Sequence, residues 1–196
     1  MSKPILMSFP DKIETERLYI RPCLPGDGEV VHRAIVKSQA NMRRWLPFAE
    51  NDQTVEKVEA GVRESYAKFI KREDFRLHIY RKEDHEFIGS TGLHRIVWDV
   101  PKVEIGYWIH RDHSGNGYMT EAVKGLTTFA IEELKVNRVE IRCDELNLAS
   151  RKIPEKLGFV LEGILRNDDR GEGRKELRNT CVYSVLPSDW TSSFID

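Results

Sequence analysis

Residues 107–122 read YWIHRDHSGNGYMTEA. An apolar strand, Val103–His110, runs into a loop carrying Gly115 and Gly117, and the loop opens directly into a helix expected over Thr120–Leu134. Glycine has no Cβ, so it accepts positive φ and lets a bulky group approach the backbone. The first N–H groups of a helix have no intrahelical partner and stand at the positive end of its dipole. Strand, glycine loop and helix start together predict a pocket for a phosphate or pyrophosphate, and so a phosphorylated cofactor at the centre of the fold.

Outward from this stretch the pattern is an alternation of strands and helices. A strand at Leu18–Pro22 and a Pro-Gly-Asp turn precede a helix at Gly28–Gln39, with Val30, Val31, Ala34 and Ile35 on its apolar stripe. An aromatic loop, Trp45-Leu46-Pro47-Phe48, leads to a second helix at Thr54–Arg72. Phe75–Arg81 and Phe87–Ile96 read as a hairpin about the charged turn Lys82–Glu86. Beyond the glycine loop come a strand at Arg138–Cys143, a helix near Ser150–Leu157 stopped by Gly158, and strands at Val160–Arg166 and Leu177–Leu186 about Gly171 and Gly173. The order β-α-α-β-β-β-α-β-α-β-β predicts a mixed α/β sheet, antiparallel hairpins first and then crossovers through helices. No linker divides the 196 residues, so one domain is expected.

Composition narrows the function. Lys and Arg number 31 against 32 Asp and Glu, for a formal charge of -1, which gives no electrostatic case for nucleic-acid binding. Cys23, Cys143 and Cys181 show neither metal spacing nor a disulfide framework, which suits a reducing cytoplasm, and the six histidines show no metal spacing either. The opening MSKPILMSFP is too short for a signal core or a membrane span.

Three glycine-loop chemistries compete. A P-loop requires GxxxxGK and Ser or Thr, and no Lys stands in register here. A dinucleotide fingerprint requires a third glycine where Thr120 stands, although Glu140 lies roughly where a ribose-binding acid belongs. The third is the acetyl-coenzyme A loop of the Gcn5-related N-acetyltransferases. ETERLYIRP resembles that family's first strand, EIGYWI with GNGYMTEAV its fourth strand, pyrophosphate loop and third helix, and NLASRKIPEKLGFVLEG the segment where two central parallel strands splay apart. The terminal VYSVL also fits, and the pattern is most similar to the RimJ/RimL-like branch that acetylates N-terminal alanine or serine of ribosomal proteins.

The resemblance implies a mostly antiparallel sheet with a splayed central parallel pair, and transfer of acetyl from acetyl-coenzyme A to a primary amine without a metal. Backbone amides of Ser114, Gly115, Asn116, Gly117, Tyr118, Met119 and Thr120 would hold the pyrophosphate. Backbone groups at Trp108, Ile109 and His110, with Asn147, would hold the pantetheine arm. Lys152 is either a contact to the 3′-phosphate or a surface lysine. Asp112 stands where the family places Gln or Arg, a carboxylate close to a pyrophosphate. Pro154 replaces a tyrosine that many members use as acid, and Ser150 matches a serine proposed as acid in the ribosomal branch, against the simpler reading that it caps a helix. For the base, Asp169, with Asp168 beside it, and Glu104 are the candidates. Trp45 and Phe48 border the acceptor site. The branch also suggests a homodimer.

Two further expectations rest on chemistry. Near pH 7 roughly one α-amine in ten is neutral, against about one lysine in a few thousand, so a site with no strong base suits an N-terminal amine; a polyamine, amino acid or aminoglycoside is the rival acceptor. Pro154 has no N–H, so the Ser150 carbonyl is expected to stay free for the pantetheine or the incoming amine. A module that binds acetyl-coenzyme A without turnover and a nicotinamide-dependent oxidoreductase are the readings from other classes.

Overall fold

In the computed structural model, which describes residues 3–170 and 176–190, eight strands form one sheet in the order β1-β2-β3-β4-β5-β6-β8-β7. The strands are β1 (Ile13–Glu14), β2 (Leu18–Pro22), β3 (Phe75–Arg81), β4 (Phe87–Val97), β5 (Lys102–Ile109), β6 (Arg138–Asp144), β7 (Val160–Arg170) and β8 (Leu177–Val185). The helices are α1 (Gly28–Met42), α2 (Val55–Lys71), α3 (Tyr118–Glu132) and α4 (Leu148–Lys156). Among the described residues only β5 and β6 pair in parallel, with α3 as the crossover that a parallel pair requires. The mixed, mostly antiparallel α/β sheet expected from the sequence is therefore present. The turn about Gly171 and Gly173 lies outside the described residues.

Period-two alternation sends the two halves of each strand to different cores. On one face Leu18, Ile20, Leu77, Ile79, Val103, Ile105, Val139 and Ile141 pack against Ala122, Val123, Leu126 and Ala130 of α3. On the other, Tyr80 and Phe87 pack against Val31, Ala34 and Ile35 of α1 and Val58 of α2. That second face holds a buried polar knot. Arg21 grips Asp27 through two 2.8 Å contacts, and His78 Nδ1 meets Asp27 Oδ2 at 2.9 Å. Burial alone would push the Asp27 carboxyl up, but Arg21 and His78 hold it far below the usual carboxylate range.

Helix boundaries follow the capping chemistry. The Thr54 hydroxyl accepts from the Lys57 N–H at 3.2 Å and starts α2, and Arg72 ends it at φ 64°. α3 begins at Tyr118, immediately after Gly117, earlier than the expected Thr120. α4 begins at Leu148 because Asn147 is its N-cap, its side chain accepting from the Ser150 N–H at 3.1 Å. Ser150 therefore lies within the first turn of α4 and is not its cap.

Candidate active site

β5 and β6 are paired from Lys102 with Arg138 to Ile105 with Ile141, and no further. Beyond that point β5 stays on β4 up to Ile109, and β6 stays on β8 up to Asp144. The two strands so part in the middle of the sheet, and their facing backbone groups have no strand partner. On the β4 side the His110 N–H donates to the Ile88 carbonyl at 2.8 Å. By alternation Trp108 also directs its N–H to β4, which leaves Tyr107 and Ile109 to face the gap.

The glycine loop sits at the end of β5. Gly115 and Gly117 have φ of 83° and 79°, a region that favours glycine. The first bond into α3 runs from the Glu121 N–H to the Gly117 carbonyl at 3.0 Å. The consecutive N–H groups from Gly115 to Thr120 ahead of it have no acceptor among the described residues. The loop is braced from below: Glu121 accepts from Thr15 at 2.6 Å and from the backbone and guanidinium of Arg17 at 2.7 Å each, while Arg17 also donates to the Asn116 carbonyl. Asp112 is drawn aside by Arg111 at 3.2 Å and Lys37 at 4.0 Å. The strand-loop-helix reading of the sequence thus has its physical counterpart: a run of free donors at a helix start.

Across the gap, Tyr107 of β5 meets α4. Its hydroxyl donates to the Ser150 carbonyl at 3.0 Å, and the Ser150 hydroxyl donates back to the Tyr107 oxygen at 3.2 Å. The expectation that Pro154 leaves the Ser150 carbonyl free is overturned. The carbonyl that Pro154 cannot satisfy is taken by Tyr107, a residue brought there by β5 and not by neighbourhood in sequence. Burial raises the Tyr107 phenol well above its ordinary range. Cys143 lies on β6 beside Ser150, and burial pushes its thiol up to about 12.

A cavity of about 630 Å³ opens on the α1/α2 face, with Gly106, Tyr107 and Trp108 of β5 in its wall. Ile35, Leu46, Phe48 and Val58 give it an apolar side, and its titratable lining is Lys57, Glu64, Arg76, His94 and Tyr107. Phe48 stands 6.3 Å from Trp108 between ring centroids. Trp45 is not in the lining; it is held between Arg44 and Arg178, at 4.6 Å and 5.2 Å from its ring. Lys152 is exposed on α4.

Neither of the two base candidates read from sequence lines this cavity. Glu104 borders a separate cavity of about 160 Å³, paired with Arg95 at 3.0 Å; burial pushes its carboxyl up against the pull of Arg95 and Arg142. Asp169 and Asp168 are exposed on β7, where Asp169 accepts from the Arg170 N–H at 2.7 Å. His94 and Asp74, which do meet at the main cavity, were not singled out in the sequence. Their separation of twenty positions carries no motif, and only the β3–β4 pairing joins them.

These features define a mixed α/β fold with a splayed parallel strand pair and a glycine loop at a helix start, and comparison with known proteins gives the family. Residues 17–160 match the acetyltransferase (GNAT) domain model, and the chain belongs to that family. It is 33% identical over 179 residues to "Putative ribosomal N-acetyltransferase YdaF" of Bacillus subtilis (strain 168), covering 89% of this chain and 94% of the other. It is 29% identical over 122 residues to the ribosomal-protein-serine acetyltransferase of Escherichia coli (strain K12), covering 62% and 65%. Among solved structures, RimL, the ribosomal L7/L12 alpha-N-protein acetyltransferase in complex with coenzyme A, superposes with a TM-score of 0.83 at 19% identity, over 89% of this chain and 97% of that one. The protein is an N-acetyltransferase of the GNAT family.

Proposed function

We propose that the protein moves an acetyl group from acetyl-coenzyme A directly to a primary amine, and that the amine is the N-terminus of a protein, such as a ribosomal protein. The observation that carries the cofactor half is the run of unpartnered N–H groups from Gly115 to Thr120 at the mouth of the β5–β6 gap. The loop amides would take the pyrophosphate, and the backbone of Tyr107 and Ile109 would take the pantetheine amides as an added strand. Asn147 keeps its amide N–H groups for the same arm, since only its oxygen caps α4.

When bound, acetyl-coenzyme A supplies a thioester open to attack. The amine nitrogen bonds to the carbonyl carbon, the C–S bond breaks, and the thiolate takes a proton from water, with the Ser150 hydroxyl turning from Tyr107 to lend it a hydrogen bond. A thiol of pKa about 8.5 leaves without a strong acid, so a hydroxyl that lends a hydrogen bond suffices. Cys143 is no competing nucleophile, because a thiol pushed up to about 12 is almost wholly protonated at neutral pH.

The acceptor half is supported by charge. Lys57 and Arg76 outnumber the one carboxylate, Glu64, in the cavity wall, which disfavours polyamines, and the cavity has room for the first residues of a peptide. Calorimetric titration with acetyl-coenzyme A, followed by thiol release with peptides beginning in Ser or Ala and with spermidine, tests both halves. Micromolar binding with peptide-dependent release is expected. Absence of acetyl-coenzyme A binding overturns the proposal, and release with spermidine alone overturns the acceptor.

A further inference from the structure

On the α1/α2 face, three strands bring their residues into one row. Arg76 of β3 pairs with Gly92 of β4, and Gly92 with Gly106 of β5. Two residues along β4, on the same face, stands His94. Its imidazole extends over the glycines: a Cβ at Gly92 would lie 2.7 Å from Nε2, and one at Gly106 3.1 Å from Cδ2 and 3.3 Å from Nε2. Any side chain at either position would displace the ring.

Behind the ring, Nδ1 is 2.8 Å from Oδ2 of Asp74, in the turn ahead of β3. An ionised carboxylate only accepts, so in the neutral ring Nδ1 carries the proton and Nε2 the lone pair. Among the described residues Nε2 has no hydrogen-bond partner and is not sealed off, and His94 is part of the cavity lining. Gly106 is also the first residue of β5 beyond the last β5–β6 pair. The free nitrogen therefore stands over the start of the gap, where a thioester reaching through the sheet would meet an amine in the cavity.

We propose that His94 is the general base for the acceptor amine and that Asp74 positions it. This rests on the acetyl-transfer reading above. As the amine nitrogen bonds to the thioester carbonyl carbon and the C–S bond breaks, one N–H proton passes to Nε2, and the thiolate is protonated separately. His94 then returns its proton to water in the open cavity. A carboxylate behind an imidazole that faces a cavity is the arrangement by which a base is held in one tautomer and one orientation. The charged groups around the ring are Asp74 ahead of β3, Arg76 on β3, Glu104 on β5, and Lys57 and Glu64 on α2. Among them Glu104 is already committed to Arg95 at 3.0 Å.

The test compares pH profiles of kcat/KM for the wild type, His94→Gln, His94→Ala and Asp74→Asn, with an N-terminal peptide as acceptor and acetyl-coenzyme A binding measured for each. His94→Gln is expected to lower kcat/KM about 10²-fold at pH 7. Acetyl-coenzyme A affinity is expected to hold, and the acid side of the profile, which requires both base and amine to be unprotonated in the wild type, to lose one of its two ionisations and keep that of the acceptor amine. Asp74→Asn is expected to give a smaller loss, and added imidazole to restore part of the His94→Ala activity. A structural role for His94 would give neither the lost ionisation nor the rescue. Unchanged kcat/KM and profile in His94→Gln overturn the proposal and leave the acetyl-transfer reading intact. A wild type that binds acetyl-coenzyme A but releases no thiol with any amine overturns both.

Discussion

The bond between Tyr107 and the Ser150 carbonyl ties a proline in one element to a phenol in another, and a double-mutant cycle measures the link. In α4 the carbonyl at Ser150 would ordinarily be paired with the N–H at position 154, which Pro154 lacks. The Tyr107 hydroxyl supplies the missing donor at 3.0 Å. Tyr107→Phe leaves a part-buried carbonyl unpaired and is expected to destabilise by about 1–2 kcal/mol. In a Pro154→Ala background the new N–H takes over that carbonyl, and the same substitution is expected to remove only about 0.5 kcal/mol, from the bond that the Ser150 hydroxyl gives to Tyr107. That smaller loss is common to both backgrounds and cancels. The coupling is then about 1 kcal/mol, or a Tm difference of roughly 2–4 °C for a chain of this length. Urea unfolding followed by circular dichroism on the four proteins gives the number. Equal Tyr107→Phe penalties in the two backgrounds, within about 0.3 kcal/mol, would show that the carbonyl does not depend on the phenol and refute the reasoning.

Other perturbations address the loop and the polar knot. Gly117→Ala places a Cβ 3.5 Å from Arg17, ordinary contact, but at φ 79°, so the penalty is backbone strain of about 1–2 kcal/mol. A turned loop amide is expected to weaken acetyl-coenzyme A binding about tenfold by calorimetry, and unchanged affinity would remove the loop from the cofactor site. Stability is expected to fall as pH drops below about 6.5, because burial holds His78 and His110 below the ordinary imidazole range and the unfolded chain binds those protons first. That contribution is present above the unfolded value and lost toward the folded one. A second loss follows below about 3.9, as pH falls toward the depressed Asp27 value. Urea midpoints between pH 8 and pH 5 give the first slope, and His78→Asn is expected to flatten it.

Much of this was legible in the sequence, and the reason lies in range. The glycine loop, the helix that follows and the hairpin at Phe75–Val97 are set by residues close in the chain, so periodicity and turn chemistry announce them. Gly115 and Gly117 could be read as a ligand loop because the φ demand and the helix start fall within a few residues. The sites that escaped depend on the exact register of a hairpin or on elements far apart in the chain. Asp74 and His94 meet because β3 and β4 pair with Phe75 opposite Leu93. Tyr107 reaches Ser150 because β5 and α4 flank the same gap. The family pattern marks Asp169 and Glu104 by their positions along the chain, whereas exposure on β7 and the pairing with Arg95 are properties of the folded chain alone.

One strand, β5, divides the labour of the site by alternation, and this yields a last prediction. Tyr107 turns toward α4, its backbone faces the gap, and Gly106 and Trp108 face the acceptor cavity. The two glycines under His94 are not equivalent probes. A Cβ at Gly92 would collide with the Phe75 carbonyl oxygen, so Gly92→Ala damages the β3–β4 ladder whatever the imidazole does. A Cβ at Gly106 would meet only His94, at 3.1 Å and 3.3 Å, and the ring can yield by a few tenths of an ångström. Gly106→Ala is therefore expected to keep stability within about 1 kcal/mol, the range of a small overpacking strain. Its kcat/KM is expected to fall about tenfold, because a displaced base loses its alignment with the amine. In a His94→Gln background the same alanine is expected to add little further loss, since the base it displaces is gone. If Gly106→Ala removes another tenfold there, the glycine is serving the thioester directly, and the floor of the cavity is shaped for the acyl group instead of for the imidazole.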